Sequence, residues 1–132
     1  MLALVVAGWL EACSAQLSAA AAQLAPRHAL FERAHVSSDG GQVRLRIASG
    51  PWAFVVTVRE AEPGEPTEWH LQRKRGLAGD DEDRHTRRSD GREARLEARF
   101  AHGPKARGAA EERFAEFAAA FRPAADQCLE AK

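Results

Sequence analysis

The apolar residues of this chain change period twice, and that switch limits the folds open to it. Between Leu2 and Leu24 they recur every three or four positions, through Val6, Trp9, Cys13, Leu17 and Ala20. This spacing puts one apolar stripe on an α-helix. From Gln42 to Phe100 the period is two, the mark of strands with one buried face. From Ala106 to the end the helical spacing returns through Phe114, Phe117, Ala118, Phe121, Ala125, Cys128 and Leu129. A one-faced sheet and two one-striped helices have a simple joint solution, in which the helices cover the sheet.

Four segments read as strands. Gln42–Ile47 sets Val43, Leu45 and Ile47 against Arg44 and Arg46. Trp52–Arg59 puts Phe54, Val56 and Val58 on one face and Ala53, Val55, Thr57 and Arg59 on the other. Both of its faces are fairly apolar, so it is placed centrally, and its second face is expected to meet a partner or a second copy of the chain. Thr67–Arg75 is the third strand, with Trp69 and Leu71 inward. Glu93–Phe100 is the fourth, assigned on its alternation although Ala, Glu, Arg and Leu favour helix. Residues 27–41 read as a connector ending in the turn cluster Ser37–Gly41, and Gly76–Gly91 as a long polar excursion. Pro123 predicts a kink or the start of a second short helix. The expectation is one domain over residues 1–132, of α+β class. It is a two-layer sandwich, a four-stranded antiparallel sheet with the N-terminal and C-terminal helices on one face, in the order α-β-β-β-β-α.

A chain of 132 residues can bury a sufficient core without a metal or a disulfide. Its 19 basic and 19 acidic residues leave no net charge. That removes the simplest argument for nucleic acid or an anionic membrane as partner. The opening segment reads as a retained helix, because no Lys or Arg precedes Arg27 and the apolar run Leu2–Leu10 is too short to span a bilayer. The alternative is a signal or lipoprotein leader over residues 1–25. Leu10-Glu11-Ala12-Cys13 is loosely similar to a lipoprotein cleavage box, although Glu is atypical there. The expected compartment is therefore the cytoplasm, with export to the cell envelope as the alternative. Lipidation of Cys13 would be the one route to a membrane.

Cys13 and Cys128 lie on the apolar stripes of the two terminal helices. If those helices are neighbours, the thiols can form a disulfide; in a reducing compartment they would be two buried thiols. His28, Glu32 and His35 have a spacing that could share a helix face, but surface polar residues account for it and no metal site is assigned. Asp80–Asp83 lacks the frame of a calcium loop. Arg73, Lys74, Arg75, Arg84, Arg87, Arg88 and Arg92 are the best case for nucleic acid, weakened by five acids in the same window. The polar face of the sheet is expected to display Arg44, Arg46, His70, Lys74, Arg95, Glu97 and Arg99. The functional expectation is a non-enzymatic interaction or adaptor module using that face or the first helix, with a protein partner or a homodimer, no cofactor and no catalytic residue. The alternatives are an exported envelope protein, or a small ligand binder or enzyme with a pocket between helices and sheet and His70 or His102 as acid/base.

Overall fold

The computed structural model describes residues 2–26, 34–49, 52–75, 80–89, 91–101 and 104–131. The chain runs α1 (Leu2–Leu24), β1 (His35–Asp39), β2 (Gln42–Ser49), β3 (Trp52–Glu60), β4 (His70–Arg75), β5 (Asp80–Ser89), β6 (Arg92–Ala101) and α2 (Pro104–Glu130). The class is α+β with terminal helices, as the periodicity indicates, but the antiparallel sheet has six strands, in the order β1-β2-β3-β6-β5-β4. Both extra strands lie where the sequence reads as loop. β1 occupies the connector, and Gly40 and Gly41 take positive φ between the paired ends Asp39 and Gln42. Such a backbone suits a two-residue hairpin turn. β5 occupies most of the polar excursion. Its residues on the helix side are Asp83, His85 and Arg87, so alternation is present in geometry but not in hydropathy.

Trp52–Glu60 is one of the two middle strands. Val43, Leu45, Ile47, Phe54, Val56, Val58, Ala94, Leu96 and Ala98 form one buried face. Helix α1 lies over β1 and β2, and α2 over β3, β6 and β5. Trp9, Cys13, Leu17, Ala20, Ala21 and Leu24 come down from α1. Phe114, Phe117, Phe121, Ala125 and Leu129 come down from α2. The rings of Phe54, Phe114, Phe117 and Phe121 are in mutual contact at centroid distances of 4.7–5.8 Å. Helix α2 continues through Pro123, with no second helix starting there. The His28 and Glu32 of the candidate metal triplet lie outside the described residues, and His35 is on the exposed edge strand β1.

Three attachments hold the helices to each other and to the sheet. A disulfide joins Cys13 to Cys128, with Cα atoms 4.8 Å apart and 115 residues apart in sequence. Arg92 lies under Trp9, its guanidinium carbon 4.2 Å from the ring centroid. The same guanidinium donates to the carbonyls of Cys128 (3.0 Å), Leu129 (3.3 Å) and Ala131. Carbonyls at a helix end lack intrahelical partners, so a cation there is stabilising. At the far edge, Asp126 of α2 accepts from the Trp69 indole (2.9 Å) and from Arg87. Trp69 is thus half-buried against the helix, but Leu71, also expected inward, is 43% exposed. It sits on edge strand β4, beyond the reach of α2.

His85 packs edge-on against Phe114, with centroids 5.2 Å apart. Burial pushes its imidazole below the usual histidine range; Arg122 and Arg73 push the same way and Asp83 opposes them. A lowered folded value means that the unfolded chain takes up the proton first. The stability due to neutral His85 is present above about pH 6.5 and is lost as pH falls through that value toward the folded one. Acidification from pH 7.5 to 5.5 should therefore lower Tm more in the parent than in His85→Leu; equal shifts would refute this. The bridge gives a second expectation. Closing so long a loop stabilises by about 4–5 kcal/mol in the chain-entropy model. Urea denaturation of the C13A/C128A variant should show a loss of that order, and reductant should shift the parent curve toward the variant's.

Candidate functional site

The face of the sheet turned away from the helices is largely polar, with Ala53 and Val55 of β3 as its described apolar positions. Strand register arranges it in rows. One row reads Ser37, Arg44, Thr57, Arg95, Thr86, His70 from β1 to β4. Its neighbour on one side reads His35, Arg46, Val55, Glu97, Arg84, Gln72, and on the other Asp39, Gln42, Arg59, Glu93, Arg88. A further row contains Ala53, Arg99, Glu82 and Lys74. The residues singled out from the sequence, Arg44, Arg46, His70, Lys74, Arg95, Glu97 and Arg99, all stand on this face. His102 lies outside the described residues.

Glu93 organises one end of the face. Its carboxylate is only 2% exposed, because three arginines from three strands fold over it. Oε1 accepts from Arg59 (3.2 Å) and Arg95 (3.2 Å), and Oε2 from Arg88 (3.0 Å). Glu97 lies next to it, 3.4 Å from Arg84 and 3.9 Å from Arg95. Four guanidiniums therefore share two carboxylates, and the cluster carries a surplus of positive charge. A carboxylate removed from water is costly unless it is paired and hydrogen-bonded, and here three charged donors meet that need. At the other end Arg44 and Arg46 are exposed and have no ion pair among the described residues. They border a shallow concavity of about 250 Å³ floored by Ala53, Val55 and Thr57 and walled by Arg44, Arg46, Glu97 and Arg99.

A larger concavity of about 440 Å³ opens between β4 and β6, lined by Thr67, His70, Gln72, Arg84, Thr86, Arg88 and Arg95. Thr67 is fixed at its rim: its N–H donates to the Arg88 carbonyl (2.9 Å) and its Oγ1 accepts from the Arg88 N–H (2.9 Å). The sequence reading missed Arg84, Thr86 and Arg88 as members of this face because it missed β5. It missed Glu93 because the partners that bury it come from β3 and β5 as well as from β6. The basic run considered for nucleic acid is split by register. Arg73, Arg87 and Arg92 face the helix side, where they approach Asp83 (3.9 Å), Asp126 and the end of α2. Arg84 and Arg88 face the open side.

Among the described residues no group of His, Cys, Asp and Glu is arranged to hold a metal ion. No helix is long and apolar enough to cross a membrane, among the residues described. No family model, no curated protein and no solved structure matches this chain.

Glu93→Gln keeps the shape but removes the charge that three guanidiniums share. Those arginines are partly exposed and will rehydrate, so the expected cost is about 1–3 kcal/mol. Urea denaturation measures it; an unchanged midpoint would show that Glu93 does not organise the cluster.

Proposed function

We propose that this protein is a non-enzymatic interaction module whose open sheet face takes an extended acidic segment of another protein. The observation that supports this reading most is the surplus of arginine over carboxylate on a face that helices leave uncovered. The central row from Ser37 to His70 contains no acid, and Arg44 and Arg95 lie on it. From Arg44 to His70 the row crosses four inter-strand steps, about 19 Å. An extended segment of about six residues covers that distance.

Nucleic acid suits the face less well. Single strands are held by aromatic stacking together with phosphate contacts, and here Phe54 lies in the core on the helix side and Trp69 bonds Asp126 of α2. A second copy of the chain also suits it less well, because pairing the same face with itself would set arginines against arginines. An enzymatic pocket between helices and sheet finds little support, since phenylalanines fill that space and the two concavities described above are lined from the open face. His70 has no hydrogen-bonded carboxylate among the described residues that would orient it as an acid/base. The bridge between Cys13 and Cys128 supports an oxidising compartment over the cytoplasm, where thiols are kept reduced. The fully buried sulfur of Cys13 is already used in that bridge, which supports a retained first helix over lipidation.

A fluorescein-labelled deca-glutamate peptide is a suitable probe, read by anisotropy at low salt. The parent should bind it, and Arg44→Glu/Arg46→Glu should weaken binding by about tenfold or more with an unchanged Tm. Absence of binding, or binding indifferent to both substitutions, would reject the reading. Tighter binding of a ten-nucleotide single-stranded DNA would replace it with the nucleic-acid alternative.

A further inference from the structure

We infer that the concavity between β4 and β6 is a subsite for a phosphoryl group carried on a larger molecule. The inference rests on the open face being the ligand-binding surface. Of four concavities compared on the described surface, this is the one lined without a carboxylate. Its walls hold three guanidiniums, two threonine hydroxyls, a glutamine amide and an imidazole.

The donors are set in place and only partly used. Arg88 bonds Glu93 through Nε, which leaves both of its Nη groups. Arg84 reaches Glu97 through Nη2 alone. A guanidinium has five N–H donors in a planar fork that matches phosphate oxygens. Arg95 Nε is buried with no hydrogen-bond partner, a deficit that a ligand turning the fork outward would relieve. The Thr67 oxygen accepts from the Arg88 backbone, so its hydroxyl proton remains to donate. Glu93 lies buried beneath Arg88 and Arg95, and Glu97 stands beside Arg84; neither is in the lining.

Charge and size narrow the ligand class. A single carboxylate would use few of these donors, whereas a phosphomonoester brings close to two charges and three acceptor oxygens. A bare phosphate would leave most of about 440 Å³ unfilled. The volume is within the range of small-molecule sites. Two sources share this chemistry: a free phosphate ester, or a phosphorylated residue within the acidic segment.

Isothermal titration calorimetry with three probes separates the possibilities. The probes are phenyl phosphate, a short glutamate-rich peptide with a central phosphoserine, and the same peptide with aspartate there. Phenyl phosphate should bind the full chain, and Arg84→Gln should weaken it about tenfold or more. Thr86→Val, which keeps the side-chain shape, should weaken it less, and both variants should melt like the parent. At about 0.15 M salt Arg44→Glu/Arg46→Glu should weaken phenyl phosphate less than Arg84→Gln does, since those side chains are not in the lining and stand two or more strands from it. A phosphopeptide tighter than both the ester and the aspartate peptide assigns the phosphoryl group to a protein; a bound ester with a phosphopeptide no tighter than the aspartate peptide assigns it to a free ester. If phenyl phosphate does not bind and the two peptides bind equally, the subsite is refuted and the acidic-segment reading stands. If none of the three binds, both are refuted.

Discussion

One side of the sheet can be kept dry only by segments from opposite ends of the chain. Leu17 and its neighbours on α1 cover β1 and β2, while the phenylalanines of α2 cover β3, β6 and part of β5. Neither helix alone reaches across the buried strand faces. The ends must therefore meet, and the closest contact between them is covalent, at Cys13 and Cys128. Arg92 strengthens the same corner by stacking on Trp9 and capping the carbonyls at the end of α2. With the apolar residues drawn to one side, the strands' alternation sends nearly every other side chain to the opposite side. The arginine-rich face is the geometrical complement of the core.

That face is not a random scatter of charge. A carboxylate as buried as Glu93 on an open sheet surface is unusual, since Glu is rarely excluded from water unless paired. Its three arginines come from β3, β5 and β6, so the carboxylate also fixes their forks relative to one another across the strands. Pre-positioned forks lose less freedom when a ligand arrives, which favours binding without requiring a deep pocket. The looser end, at Arg44 and Arg46, lacks such a support. It suits long-range attraction, and the Glu93 end suits fixed geometry.

Alternation was legible wherever it coincided with hydropathy. Val43, Leu45 and Ile47 against Arg44 and Arg46 announce both a strand and the side that each residue faces. The open-face residues of β2 and β6 could be named for that reason. Strand β5 was hidden because its inward positions are Asp83, His85 and Arg87, which find partners or partial shelter at the thin edge of the helical layer. Strand β1 was hidden because Ser37, Ser38 and Asp39 are turn-forming residues, and only Val36 packs against the core. Leu71 shows the reverse error: an apolar residue in correct phase whose helix is too far away to cover it. The site was half legible for the same cause. Arg95 and Arg99 follow from β6 alone, whereas Glu93 acquires its meaning from strands that are distant in sequence.

The link between Cys13 and Cys128 also changes what the chain is as a string. It closes the segment from Cys13 to Cys128, which carries the whole described sheet, into a ring. A motor that pulls on the chain from outside the ring cannot draw the ring through a pore in single file. At Cys13 from one side, or at Cys128 from the other, it meets two strands that must enter side by side. Unfolding the sheet does not remove that obstacle; only breaking the sulfur–sulfur bond does. Passage in single file thus requires a reductant for the bridge as well as disruption of the core.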